Sequence, residues 1–399
     1  MFRDRQLVLI DFLPSLALQF ALVDAGKFVF DAHTQILRFK CDNFHNLIVP
    51  CRRNKLFLIS IPRRFCTLAF SAAQLVDLCR LFYGRESEAF MNNNLYVITP
   101  IFNPHAFRSR ARLYANFARH MAQSGAKLLT IEAAFGNSPF EVTSAENPWH
   151  MQLRTNEVLW HKERLINLAR QRLVQLAPDA RNIGWFDADI TFTNPDWVAE
   201  TVHTLMHHPV VQPFGTAINL DSKEQPTWTC PSALRSFIEE RGYHQDPPLP
   251  LAYLYKGHPG LAWAATREAL DQLGGLYDVC AAGSGDTVMS NCLKGGWDTY
   301  LPGAPSAGMI ASMKAWAAGC DRHVRGNIGF VPGACLHHWH GRSEARGYEK
   351  RWSILSFHRF DPAVDLAVDS QGLYKWAGNK PRLEDDIRLS LSLRNEDEI

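Results

Sequence analysis

The residues with the clearest chemical potential lie in Trp185-Phe186-Asp187-Ala188-Asp189-Ile190, where an apolar run ends in two aspartates one residue apart. Side chains at i and i+2 of a strand point the same way, so Asp187 and Asp189 are expected to share one cation at the carboxyl edge of a sheet. Such a pair suits metal-assisted chemistry on a phosphorylated substrate. A short D-x-D string can equally close a strand in a solvated turn. The setting favours the cation: a turn leads in at Asn182, a helix start follows Asn194-Pro195-Asp196, and α/β sheets bind ligands at the carboxyl ends of their strands.

Two further constellations follow. In Gly283-Ser284-Gly285-Asp286 a carboxylate stands in a glycine-rich turn ahead of a helix, where glycines admit close approach and free amides orient an acid. Asp286 is therefore expected as a catalytic base, as a helix N-cap, or as both. In Leu336-His337-His338-Trp339-His340-Gly341-Arg342, His338 and His340 face one side of an extended segment, and neutral imidazole is a good donor to a transition-metal dication. A solvated histidine cluster is the plain alternative. With the D-x-D in the same chain, the expected shell is Asp187, Asp189, His338 and His340 around Mn2+ or Mg2+. Arg342, Arg346, Tyr348 and Arg351 supply donors suited to a diphosphate.

The elements that must position these residues alternate between strand and helix from Leu95 onward, the pattern of a mostly parallel α/β sheet. Leu95–Thr99 reads as a strand, followed by a loop at Pro100-Ile101-Phe102-Asn103-Pro104 and a helix carrying Arg108, Arg110 and Arg112. Lys127–Phe135 is a second strand with Glu132 near its end. Trp160–Leu176 has helical spacing and precedes the aspartate strand; Thr201–His208 reads as a helix, Val210–Phe214 as a strand, Thr266–Leu273 as a helix and Ile328–Val331 as a strand. The charged runs Arg382–Asp386 and Arg394–Glu398 read as a solvated helix and tail.

At 399 residues the chain can hold one large or two ordinary domains, and 46% hydrophobic with 21% charged residues excludes a disordered or fibrous class. A net charge of +2 does not support a nucleic-acid partner. Nine cysteines without C-x-x-C spacing read as reduced, which leads to a cytoplasmic expectation. Residues 1–90 differ from the rest, with 12 basic against 8 acidic side chains, and Leu7–Val23 is apolar enough to suggest an anchor. Asp11, Pro14 and Gln19 interrupt it, and a mid-membrane aspartate costs about 2.5 to 3.5 kcal/mol, so no transmembrane segment is expected. The expected division is an N-terminal extension over 1–90, a catalytic domain over 91–360, and a C-terminal helix and tail over 361–399, with Met91 able to serve as an alternative start.

Taken in order, ITPIFNP, KLLTIEAAF, WHKERLINLA, WFDADI, the Trp263–Asp286 segment and HHWHG resemble nucleotide-sugar-dependent glycosyltransferases of the GT-A fold. The likeness covers about residues 94–355 and is sharpest to the pattern shared by galactosyltransferases and polypeptide N-acetylgalactosaminyltransferases. The resemblance implies a Rossmann-like, mostly parallel sheet flanked by helices. It also implies that Thr99, Pro100, Asn103 and Arg108 line the first nucleotide loop, that Glu132 faces the base or ribose, and that Lys162 and Asn167 lie beside the nucleotide. Asp187 would approach the ribose or the metal, Asp189 would be the main carboxylate ligand, and His338 would be the third ligand with His340 competing. Gly-Ser-Gly-Asp departs from the longer acidic run of the galactosyltransferases, which puts the acceptor-side role of Asp286 in question.

The expected activity is hexosyl transfer from a nucleotide-diphosphate sugar to an acceptor hydroxyl, inverting if Asp286 is the base. Trp263 is expected as a wall for the sugar or as core, and Arg342 as a diphosphate contact. The sequence does not identify the acceptor; a surface or lipid-linked glycan is the default expectation, with a hydroxymethylated DNA base as an alternative. Two rival classes are a sugar-phosphate nucleotidyltransferase, which would carry G-x-G-T-R after the first strand, and a non-catalytic carbohydrate-binding protein of the same fold.

Overall fold

The computed structural model describes residues 94–241, 257–298 and 304–398, together with seven strand segments between Leu7 and Ser71. The chain divides into two compact units, 1–93 and 94–399. In the first unit β1 (Leu7–Phe12), β2 (Leu16–Ala21), β5 (Asn46–Cys51) and β6 (Lys55–Ser60) form one antiparallel sheet. There β3 (Lys27–Asp31), β4 (Ile36–Lys40) and β7 (Thr67–Ser71) form another. The alternative start at Met91 lies outside the described residues. Among the described residues no helix is long and apolar enough to cross a membrane.

The second unit is mixed α/β. Its central sheet contains β8 (Leu95–Phe102), β9 (Lys127–Phe135), β10 (His150–Thr155), β11 (Asn182–Phe186), β13 (Val210–Gln212), β16 (Ala262–Thr266) and β17 (Ile328–Phe330). Their order is β10-β9-β8-β11-β16-β13-β17, and every pairing is parallel except the two made by β16. A second sheet, β12-β18-β14-β15, is built from β12 (Ile190–Phe192), β14 (Thr216–Leu220), β15 (Pro226–Pro231) and β18 (Ala334–His337). A hairpin of β19 (Leu366–Val368) and β20 (Tyr374–Trp376) completes the strands.

Both faces of the central sheet are covered, as continuous apolar strands require. Leu95 and Val97 of β8 face one core with Tyr114, Phe117 and Met121 of α1 (Arg108–Gln123) and Trp197, Val202 and Leu205 of α3 (Trp197–Leu205). Tyr96 and Ile98 face the other, with Leu165, Ile166 and Leu173 of α2 (Lys162–Leu176). That second core also takes side chains from α5 (Arg267–Gln272), α6 (Gly285–Leu293) and α7 (Ala307–His323). Beyond α4 (Ala233–Arg241), the chain closes with α8 (Tyr348–Phe357), α9 (Pro362–Asp365) and α10 (Pro381–Ser392). Leu383, Ile387 and Leu391 of α10 belong to that core, so the segment after residue 360 is integral to the unit.

Two local expectations change. The loop expected from Pro100 is strand as far as Phe102, with Pro100 in register with Ile131. The segment carrying Trp263 is the reversed strand β16, and it leads into the helix expected at Thr266–Leu273. The helix expected over Thr201–His208 begins at Trp197 and ends at Leu205.

Candidate metal centre and the surrounding cleft

The strand order reverses between β8 and β11, and such a switch point opens a crevice at the strands' carboxyl ends. Thr99 ties the two strands together there, its buried Oγ1 donating to the Phe186 carbonyl at 2.9 Å. The chain leaves β11 at Phe186, so Asp187-Ala188-Asp189 form a turn rather than strand, and they enter β12 at Ile190. The two aspartates therefore do not share one strand face. Asp187 pairs with Lys162 Nζ at 2.5 Å, whereas Asp189 turns inward and is 6% exposed.

Asp189 meets two histidines. Its Oδ2 lies 2.6 Å from His340 Nε2, its Oδ1 lies 3.8 Å from His337 Nε2, and the two Nε2 atoms are 3.3 Å apart. One ligand atom from each of the three residues falls within 4.8 Å of the others, and all three residues are buried. The structure thus places His337 where His338 was expected. His338 turns to the other side of the strand, where its Nδ1 meets Glu224 at 2.7 Å and its Nε2 meets Thr191 at 2.9 Å.

The protonation pattern fits a cation. Burial, with Arg346 adding to it, holds both His337 and His340 well below the ordinary imidazole value, so both are neutral. His337 Nδ1 meets Asn219 Oδ1 at 2.7 Å and donates to it, because a side-chain carbonyl only accepts; Nε2 is left with its lone pair toward Asp189. Arg346 can only donate, so its contact with His340 Nδ1 puts that ring's proton on Nε2, aimed at Asp189. A cation would take that proton's place. Asp189 Oδ1 is buried without a hydrogen-bond partner, a polar atom waiting for a ligand. Burial, with Asp187 adding repulsion, raises the Asp189 carboxyl above its usual range against the pull of Arg110 and Arg346. Two imidazoles and one carboxylate suit Mn2+ or another transition-metal dication, and fit Mg2+ poorly because magnesium prefers oxygen ligands.

A second group of charges adjoins the centre at the start of α2. Burial opposes the Lys162 charge, but Asp187 and then Asp286 more than offset it and raise the ammonium's pKa. Next to it, Glu163 is buried and pushed up to about 8 despite Lys162, so it is neutral at pH 7. Asp286 opens α6 as expected, its Oδ1 accepting from the Thr287 amide at 2.8 Å. A Cβ at Gly260 would lie 2.6 Å from Asp286 Oδ2, and one at Gly285 would lie 2.9 Å from Glu163 Oε1, so both glycines make room for carboxylates. His258 is held below its ordinary value by burial, against the opposing influence of Asp286 and Asp187.

Several expected contacts are committed elsewhere. Glu132 accepts from the amides of Glu141, Val142 and Thr143 and from the Thr143 hydroxyl, so it organises a loop rather than facing a base or ribose. Asn103 is closed onto Phe107. Asn167 is bonded to Leu276 and Asp278, and holds the loop before α6 instead of lying beside a nucleotide. Trp263 is 2% exposed, stacked 6.3 Å from Trp185 and bonded through Nε1 to the Pro259 carbonyl; it is core and cannot wall a sugar. Arg108 is exposed, and the exposed Arg342 pairs with Glu398 at 2.9 Å. The residues not anticipated are His337, Asn219, Glu163 and Glu396, together with Arg110 and Arg346 in these contacts. Only the basic run around Arg108 and the arginines after His340 signalled any of them.

No family model and no curated protein matches the chain. Among solved structures, it is similar to nucleotide-sugar glycosyltransferases. One is a mutant of the Drosophila β-1,4-galactosyltransferase 7 in complex with manganese, UDP-galactose and xylobiose (11% identity, 49% of this chain and 59% of that one, TM-score 0.26). Another is Mycobacterium tuberculosis glucosyl-3-phosphoglycerate synthase with Mn2+, UDP and phosphoglyceric acid (14% identity, 68% and 78%, TM-score 0.31). A third is a glycosyltransferase involved in the glycosylation of the major capsid of PBCV-1 (8% identity, 73% and 98%, TM-score 0.26). This chain spans 59% of the galactosyltransferase's length, and at these TM-scores none of the three transfers an activity or a ligand to it.

Proposed function

We propose that the chain is a metal-dependent glycosyltransferase that moves a sugar from a nucleotide-diphosphate donor to an acceptor hydroxyl. The observation that carries this reading is the buried Asp189–His337–His340 cluster at the switch-point edge of the sheet, with a lysine and carboxylates beside it. The order of motifs that resembles the GT-A enzymes adds to it.

Asp189, His337 and His340 would hold the dication, which when bound neutralises the charge that develops on a diphosphate leaving group. Lys162, kept charged by Asp187 and Asp286, supplies a fixed positive charge at the turn that carries Asp189. Asp286 is the assigned general base. The Thr287 amide holds one of its oxygens, and Gly260, lacking a Cβ, leaves room for the other. A base on the far side of the sugar from the leaving group inverts the anomeric carbon.

Thermal melting with manganese and uridine diphosphate, separately and together, tests the reading. The melting temperature should rise with Mn2+, rise further with both, and fail to rise with Mg2+ alone. Screening nucleotide sugars for manganese-dependent hydrolysis should then identify the donor. A protein indifferent to every dication, or an Asp189→Ala variant that keeps its turnover, overturns the assignment.

A further inference from the structure

The segment Arg394–Glu398 lies against the candidate centre and fills every seat it touches. Glu396 is 2% exposed and is gripped as a fork by Arg110, through Nε and through NH2 at 2.6 Å, while Arg394 Nε donates to it at 2.6 Å. Arg110 NH1 is in turn 4.0 Å from Asp189 Oδ2, so one guanidinium separates Glu396 from the centre. Asp397 sits on the start of α1, accepting from the Arg108 amide at 2.9 Å and the Ser109 amide at 2.8 Å. That sixteen-residue helix has no acidic residue in its first turn and no side-chain cap from Phe107, so its positive end is served by an anion from the far end of the chain.

The histidine loop is shaped around the same segment. Trp339 Nε1 donates to the Glu398 carbonyl at 2.8 Å, and Arg342 pairs with the Glu398 carboxylate. Gly341 has φ +87°, and a Cβ there would lie 2.6 Å from the Asn395 carbonyl oxygen. A glycine next to His340 therefore lets this backbone pass directly beside the centre.

We propose that Glu396 and Asp397 are an internal stand-in for a diphosphate, and that the 394–398 segment must leave before a nucleoside diphosphate can engage Arg110 and the α1 amides. Two adjacent carboxylates, one on a guanidinium fork and one on a helix N-terminus, use the two kinds of donor that bind phosphoryl groups best. This rests on the transferase reading, because only a diphosphate substrate beside the metal would compete for these seats. The segment then sets the donor's apparent affinity, which falls by the fraction of time the cradle is vacated.

The test is calorimetric binding of inorganic pyrophosphate in the presence of Mn2+ to the full chain and to Glu396→Gln/Asp397→Asn, with Asp385→Asn, an exposed carboxylate on α10, as control. The double variant should bind about tenfold tighter or better, and the control should match the parent. Pyrophosphate should also speed hydrogen exchange across 394–398 in the unaltered protein, which decides the matter even if the double variant does not fold. Equal or weaker binding by the variant, or unchanged exchange in a protein that binds pyrophosphate, makes the segment a structural clasp and overturns the proposal while leaving the transferase reading intact. A protein and a variant that both ignore manganese pyrophosphate remove both.

Discussion

Two polar clusters adjoin α2 and the turn it supports, and they differ in one respect. Around Asp278, every partner is in place: Asn167 Nδ2 at 2.9 Å, Tyr374 hydroxyl at 3.0 Å and Arg164 at 3.2 Å, with Asn167 also bonded to both backbone polar groups of Leu276. Around Asp189, the two nearest groups are neutral imidazoles, and one carboxylate oxygen is buried with no hydrogen bond. A buried polar group without a partner costs about 1 to 3 kcal/mol, more if charged, so a carboxylate oxygen left unpaired between two neutral imidazoles favours a site that a cation completes. The satisfied cluster pins the loop that carries Asp286. The unsatisfied one is the proposed place for a cation.

The sharpest way to break this contrast is to remove each carboxylate. Asp189→Ala should lower manganese-dependent turnover by about 10³-fold or more while melting near the parent temperature without metal, since it removes a carboxylate that is poorly satisfied. Asp278→Ala should instead cost about 3 to 5 kcal/mol in denaturant unfolding, because Arg164 loses its carboxylate partner and Asn167 and Tyr374 lose an acceptor, and the remaining folded protein should keep its manganese response. If the two variants exchanged these signatures, the assignment of structural and functional roles would be reversed.

Glu163 sharpens the comparison through pH. Its folded pKa of about 8 lies above the ordinary 4.5, so its stabilising contribution is complete below about pH 4.5 and is lost as pH rises through 8. Lys162, Asp286 and Asp187 are the charges that act on it. Glu163→Gln should therefore match the parent near pH 5 and exceed it at pH 9 by up to a few kcal/mol, read from melts at both values.

Smaller effects are expected at the edge of the centre. Asn219 fixes the His337 tautomer, and Asn219→Ala should weaken manganese binding about 10- to 100-fold in a metal titration. Among the described residues the His338 side chain pairs with the exposed Glu224 and with Thr191, so His338→Ala should change stability by about 1 kcal/mol or less and leave the metal affinity unaltered. Loss of metal binding in that variant would restore the ligand set expected from the sequence.

Much of the scaffold was legible because its signals are local. The apolar runs at 95–99, 127–135 and 182–186 are strands buried on both faces, and the period of α2 and the Gly-Ser-Gly-Asp turn ahead of α6 both appear where they were read. What failed were readings that depended on which face a residue presents. Strict alternation pairs His338 with His340, but the chain leaves β18 after His337, and the irregular turn that follows brings 337 and 340 together instead. Glu132 and Asn167 were legible as polar groups near strand and helix ends. Their partners, a loop nine to eleven residues on and a turn 109 residues away, were not. Trp263 is opposite Trp185 by strand register, a long-range pairing that no local pattern reveals.

Local sequence determined which chemical groups this protein carries and roughly where its strands and helices run, because hydrophobic period, glycine turns and acid spacing act over a few residues. Tertiary structure alone decided that Asp189 meets His337 rather than His338, and that Arg394 and Glu396 are buried and Asp397 is seated on α1 where a solvated tail was expected. Register between distant strands and pairing of charges hundreds of residues apart are set by packing of the whole unit, and no window along the chain contains them.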